Sequence, residues 1–317
     1  MLENFIKKII SFSEYLFTFK HFIKLTFFKS PMDINSSFKY LIYKTKSQII
    51  FYFKKREKSY KYLYEAKNYN SLGFSTFSSE GIQKNSKIIL EKILSINNPW
   101  DSNNELRLPA SKIFREELIN IFKSGVDDFV KASFKSDYKI FYHLLYISKR
   151  KCENEIPSNS ALWHADGGPG ICMNLMICHT PINKLNGAMK VIPWKISKNL
   201  LTKLYLKYKI WFRNLLCEDS SKISRKELRS TKCDFLKDFI QKKKIKYFQP
   251  KSKKNGLVYA FRNNCVHAGG FTENGHERIV SILHIYPSNQ ITSLEEKFSS
   301  EHLKKSPFPS PAEIFKN

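Results

Sequence analysis

A chain of 317 residues is long enough for one large domain or two small ones, and with 15% aromatic residues it has the means to build a sizeable core, which excludes a disordered chain. The formal net charge of +26 is unevenly spread: residues 1–70 hold 14 Lys and Arg against 5 acids, residues 195–254 hold 19 against 5, and a net +3 is left for all the rest. Basic, aromatic-rich surfaces attract nucleic-acid backbones, anionic membranes or phosphorylated substrates. No nucleic-acid-binding module stands in the sequence, so nucleic acid is disfavoured as a partner. An AT-rich coding sequence would give the same abundance of Lys, Ile, Asn, Phe and Tyr, with the lysines on solvated faces.

Residues 1–30 mix Phe5, Ile6, Ile9, Ile10, Phe12, Leu16 and Phe17 with Lys7, Lys8, Lys20 and Lys24. No apolar run reaches the ~18 residues of a spanning helix, and no small-residue cleavage site follows. The pattern predicts an amphipathic helix, packed on the domain or lying on a membrane surface. A strand is expected at Leu72–Phe77, then a helix opening near Ser79 with Ile82, Ile89, Ile93 and Ile96 on one side. Phe114, Leu118, Phe122 and Phe129 mark a helix over about Ser111–Phe134, and Tyr138–Ile147 reads as a strand. Ile171–Cys178 is a further, buried strand with one polar residue, Asn174, which needs a partner. Gly187–Ile192 is another strand.

Residues 195–254 then interrupt the sheet. Leu200, Leu204, Tyr208, Trp211 and Leu215 recur at helical spacing, and a lysine-rich stretch ends in Lys242-Lys-Lys244. This insertion reads as a lid or as a peripheral helix with solvated lysines. The organisation expected is a basic, aromatic-rich extension over 1–70 and one domain over 71–317, carrying a basic helical insertion at about 195–254. Six cysteines (152, 172, 178, 217, 233 and 265) show no C-x-x-C pair or disulfide spacing. They suit a reducing, cytoplasmic compartment, with membrane-peripheral contact through residues 1–30 as the alternative.

The chemistry is concentrated in two stretches. In Trp163-His164-Ala165-Asp166-Gly-Gly-Pro-Gly170 a histidine and an aspartate stand two positions apart, and on an extended segment both point to one side. His267 is a third ligand candidate, and two histidines with one carboxylate form the facial triad that suits non-haem Fe(II). Past it, Asn274-Gly275 is a strong hairpin signal. If that turn closes a hairpin, His267 faces Ile282, Arg278 shares their face, and the two lie roughly 13 Å apart along the strand. Many short strands with turn signals around such a triad argue for a mainly β domain with flanking helices (α+β), with a double-stranded β-helix core of the jelly-roll, cupin-like type.

His164-x-Asp166, His267 and Arg278 eleven residues on resemble the Fe(II)/2-oxoglutarate-dependent oxygenases, and specifically their phytanoyl-CoA dioxygenase-like branch. Asn186-Gly187-Ala188-Met-Lys-Val191-Ile192-Pro193 resembles that branch's N-G-x-x-x-V-I-P stretch, and Gly256-Leu-Val-Tyr-Ala-Phe261 resembles the strand leading to its second histidine. The likeness covers roughly residues 71–290. Two positions depart from it: Trp194-Lys-Ile-Ser197 stands where relatives read Gly-Ser-His, and Val280 stands where many carry a serine beside the oxoglutarate carboxylate.

The resemblance implies Fe(II) held by His164, Asp166 and His267, with 2-oxoglutarate as co-substrate. Its far carboxylate would be held by Arg278, with Asn174 and a β-strand tyrosine, Tyr146 or Tyr142, as further candidates. It implies hydroxylation of a small molecule by O2 with release of succinate and CO2. The basic insertion favours an anionic substrate, and an acyl-type or lipid-like one stays open beside it. Two alternatives stay open: a non-catalytic jelly-roll protein that binds an anionic membrane or polymer through its basic insertion, and a structural zinc or other divalent site. Of the other histidines, His179 and His284 read as residues in or beside the sheet, and His284 falls on Arg278's face.

Overall fold

The computed structural model describes residues 34–54, 60–95, 105–108, 114–149, 163–166, 171–207, 233–270 and 272–299. The expected helix in residues 1–30 lies outside them, as do Ile96, Tyr208, Trp211 and Leu215. Helices α1 (Ile34–Lys54) and α2 (Leu63–Leu72) lead into β1 (Phe74–Phe77), and α3 (Glu80–Ser95) and β2 (Glu105–Leu108) follow. Next come α4 (Arg115–Ile121), α5 (Asp127–Phe134), the long β3 (Asp137–Lys149), β4 (Met173–Cys178) and β5 (Lys190–Val191). Helices α6 (Trp194–Lys207) and α7 (Cys233–Lys242) precede β6 (Leu257–Arg262), β7 (His267–Ala268), β8 (Glu277–Ser288) and a last turn, α8 (Leu294–Lys297).

Six strands form one antiparallel sheet in the order β1-β6-β4-β8-β3-β2, and β5 pairs with β7 in a separate two-stranded sheet. Every residue of β4 is buried because both faces of the large sheet are covered. Met173, Leu175 and Ile177 point to the helical side, where they join Ile82, Ile89 and Ile93 of α3 and Phe114, Leu118, Phe122 and Phe129 of the α4–α5 region. Each of those three isoleucines is fully buried, which stabilises the fold by roughly 1.5–3 kcal/mol apiece. Met176 and Cys178 point the other way, into a second cluster with Tyr259, Phe261, Val280, Val191, Val266 and Ala268. The site lies on this second face.

The helix expected through Phe134 is broken by a π turn over Phe122–Val126, where Gly125 has φ of 134°. A Cβ there would run into the ring of Tyr62, so the break is set by tertiary packing that helical spacing does not reveal. Within the expected extension, α1 is tied to the body: Tyr40 Oη donates to the Ile171 carbonyl at 3.1 Å, and Gln48 Nε2 to the Phe134 carbonyl at 2.7 Å. Leu200, Leu201 and Ile240 of the insertion are buried in the second cluster, and Phe248 and Ser252 bridge back to Val191 and Ile182.

The hairpin between His267 and Arg278 does not form. The turn is there, with His276 N donating to the Glu273 carbonyl at 3.1 Å, but its arms lie in different sheets. A strand has two hydrogen-bonding edges, and both edges of β8 are taken, by β3 and β4. The incoming arm pairs with the 185–191 segment instead: Val191 with His267, Lys190 with Ala268, and Asn186 with Thr272. Among the described residues no helix is long and apolar enough to cross a membrane.

Candidate metal centre

Two extended segments meet edge to edge to build the centre. His164 N donates to the His267 carbonyl at 2.8 Å and His267 N returns a bond to the His164 carbonyl at 2.7 Å, so the two rings stand side by side with centroids 4.3 Å apart. Cross-strand partners share a face, and Asp166, two residues on, joins them. Its backbone N–H is fixed by the Asn263 carbonyl at 2.9 Å. The ligand atoms of His164, Asp166 and His267 all lie within 4.8 Å of one another. His164 Nε2 is 3.5 Å from Asp166 Oδ1, and His267 Nε2 is 3.4 Å from Asp166 Oδ2. Donors bound at ~2.0–2.2 Å to one ion, at angles from square to tetrahedral, lie roughly 3.0–3.5 Å apart, so these separations fit a metal.

The surroundings orient the ligands. His267 Nδ1 lies 2.8 Å from the Cys265 carbonyl. A carbonyl only accepts, so Nδ1 carries the proton and Nε2 is left to ligate. Asn174, the polar residue of β4, finds its partner here: Nδ2 donates to Asp166 Oδ2 at 3.1 Å. Asn174 is thus bonded to one of the three candidate ligands, a partner its sequence context did not name. Burial opposes ionisation of Asp166, but the adjoining His267 and His164 outweigh it and hold the carboxyl well below its usual range. Asp166 is an acceptor-only carboxylate, as a metal ligand must be.

Arg278 stands on the same face of the large sheet as Asn174, Met176, Val280 and His284, since Asn174 pairs with His284 and the face alternates along β8. It is 6% exposed, and its guanidinium lies 5.7 Å from the centroid of the Tyr146 ring. Nη1 donates to the Gly187 carbonyl, Nε is buried without a hydrogen-bond partner, and among the described residues no carboxylate pairs with it. The Asn186-Gly187 turn presents that carbonyl: Asn186 Nδ2 donates to the Pro181 carbonyl, and its Oδ1 accepts from Asn183 N at 2.6 Å. Gly270 lies against the Gly187 backbone so closely that a Cβ would collide with it. His267 is three residues before Gly270, at most about 11 Å of chain.

Two residues that sequence reasoning missed sit beside Arg278. Its cross-strand partner on β3 is Ser148, whose Oγ is 2.9 Å from Thr272 Oγ1, and Thr272 bridges to Asn186. The departure at Val280 left the hydroxyl expected beside Arg278 unidentified, and the pairing of β3 with β8 is not readable from spacing. Tyr142 and His284 face each other with ring centroids 5.3 Å apart on this face. His179 is a core histidine on the helical side, between Ser86 Oγ at 3.2 Å and Ser281 Oγ at 2.9 Å.

No family model matches the chain and no curated protein matches its sequence. Solved structures similar to it include AviO1 from Streptomyces viridochromogenes Tue57, at 13% identity and a TM-score of 0.45, covering 75% of this chain and 100% of that one. The non-haem alpha-ketoglutarate-dependent epimerase SnoN from nogalamycin biosynthesis is similar at 12% identity and a TM-score of 0.46, covering 73% and 87%. EctD from S. alaskensis with 2-oxoglutarate and 5-hydroxyectoine is similar at 12% identity and a TM-score of 0.44, covering 81% and 89%.

Proposed function

We propose that this chain is an Fe(II)- and 2-oxoglutarate-dependent dioxygenase that hydroxylates a small molecule. The observation that carries the reading is the convergence of two imidazoles on one carboxylate, with a buried guanidinium that has no carboxylate of its own on the same side of the sheet. The donor set fits the ion: two nitrogens and one oxygen occupy one side of a six-coordinate metal and leave the other side open. The orphaned Nε of Arg278 fits the co-substrate, because a buried guanidinium needs an anion.

In this reading His164, Asp166 and His267 hold the iron, and Asn174 fixes the carboxylate oxygen that faces His267. Arg278 binds the far carboxylate of oxoglutarate, and the Ser148–Thr272 hydroxyl pair assists in place of the serine that Val280 displaces. Tyr146 packs its ring against the guanidinium and keeps water from it. Met176, Leu144 and Ile282, apolar members of the same cluster, keep the site dry. When bound, iron and oxoglutarate together supply, from O2, the oxidant for an unactivated C–H bond, with oxoglutarate ending as succinate and CO2.

The finer expectations belong to the same proposal: a jelly-roll core, membership of the phytanoyl-CoA dioxygenase-like branch, and an acyl-type or anionic substrate, the anionic one favoured by the basic insertion. Cys172, Cys178 and Cys265 are free and buried, which supports a reducing, cytoplasmic setting. Equilibrium dialysis against Fe(II) under argon tests the metal assignment. One equivalent should be retained by the wild type and lost in Asp166→Ala and His267→Ala, and a folded wild type retaining none, or retaining only zinc, sinks the reading.

A further inference from the structure

A second buried guanidinium lies away from the metal. Arg262 closes β6 and is 3% exposed. Its Nη2 donates to the Asn70 carbonyl at 2.7 Å, but Nε and Nη1 have no hydrogen-bond partner. Three N–H groups are therefore unspent. Among the described residues no carboxylate forms an ion pair with it. The guanidinium carbon stands 5.7 Å from the centroid of the Tyr69 ring, and Tyr69, 1% exposed, has a hydroxyl without a partner. The next residue along, Asn263, is 2% exposed and keeps Nδ2 unbonded while its Oδ1 accepts from Cys172 N at 3.1 Å.

The unspent groups are all able to donate, and of them the Tyr69 side chain lies against the fixed positive charge. Water could satisfy the N–H groups but would leave the charge uncompensated, which is the costly part of burying an ion. We propose that Arg262, with the Tyr69 hydroxyl, forms a binding site for a small inorganic monoanion such as a halide, on the side of β6 next to α2. Charge balance selects a monoanion, because a dianion would leave a net negative charge buried. Burial on this scale selects a small one. The site is independent of the proposed reaction, but it is wired to the metal-bearing segments: the Asn263 carbonyl holds Asp166 N, and the Arg262 carbonyl accepts from Cys265 N at 3.0 Å.

The test is thermal unfolding of the full chain at constant ionic strength while gluconate, too large for such a site, is replaced stepwise by chloride or bromide. The melting temperature of the wild type should rise saturably with halide. Tyr69→Phe should raise the half-saturating halide concentration about tenfold, the worth of one hydrogen bond to a charged group. Arg262→Met should melt identically in gluconate and halide, and crystals grown in bromide should show an anomalous peak beside Arg262. A wild type indifferent to halide, or an Arg262→Met variant that keeps the response, overturns the site. Should Arg262→Met fail to fold, an unshifted half-saturation in Tyr69→Phe overturns it alone.

Discussion

Asn174 donates its side-chain amide to Asp166 Oδ2 at 3.1 Å, and the same oxygen faces His267 Nε2 at 3.4 Å. One neutral residue of β4 therefore aims the carboxylate on which both histidines converge. Loss of such a partner of a ligand typically costs ~10–100-fold in metal affinity. Asn174→Ala should fold, keep all three ligands, and lose its metal to a chelator at a concentration at least about tenfold below that needed for the wild type. Equal chelator resistance would show that Asp166 is held by its backbone alone.

Arg278 should decide co-substrate affinity without affecting the metal. Truncating one partner of a buried charge pair costs ~2–5 kcal/mol, so Arg278→Ala should weaken oxoglutarate binding by roughly 30-fold or more. Ser148→Ala should weaken it less, by about tenfold. Neither change should alter the binding of 2-oxobutyrate, which has no second carboxylate. Anaerobic calorimetry with the two ligands separates these outcomes, and equal losses for both ligands would point to general damage.

The buried pair of Lys297 and Asp137 holds α8 to the start of β3. The charges are 3.0 Å apart with side chains 1% exposed, and Lys297 Nζ also donates to the Thr292 carbonyl at 2.6 Å. Removing one partner strands the other charge, so Lys297→Met should cost about 3–5 kcal/mol in urea unfolding. Adding Asp137→Leu should recover most of it, and a single-variant loss under 1 kcal/mol would contradict this account of the pair.

Acid sensitivity should come from two histidines on the helical side of the sheet. Burial pushes both His143 and His179 down to about 3. The unfolded chain binds their protons near pH 6.5, the ordinary value, while the folded chain does not. Stability from each is complete above that value and is lost as pH falls from 6.5 toward 3, at ~1.4 kcal/mol per pH unit. Both ring nitrogens of His143 lack a partner, so His143→Phe should tolerate the fold and make the melting temperature fall less steeply between pH 6.5 and 5. An unchanged slope would mean that other groups carry the acid response.

Much of the centre was legible because it depends on local spacing. His164-x-Asp166 shares a face by the period of two, and Ile82, Ile89 and Ile93 share a helix face by the period of 3.6. What stayed hidden depends on which distant edge a strand finds. Asn274-Gly275 does make a turn, but β8 already has β3 and β4 on its edges, so His267 went to Val191. The expected alignment of His267 with Arg278 therefore rested on a pairing that does not exist. Arg278 is positioned instead by Gly187, where Gly270 and the Asn186 turn meet. Asn174 was visible as a polar residue in an apolar strand, but its partner was not, because Asp166 reaches it only through the Asn263 carbonyl that fixes that segment.

The most direct test of the iron and oxoglutarate assignment is anaerobic titration of the Fe(II)-loaded protein with 2-oxoglutarate, following the weak visible metal-to-ligand charge-transfer band. A saturable band should appear in the wild type, require far more oxoglutarate in Arg278→Ala, and be absent in Asp166→Ala. A folded, iron-loaded wild type that gives no band at any oxoglutarate concentration would contradict the account.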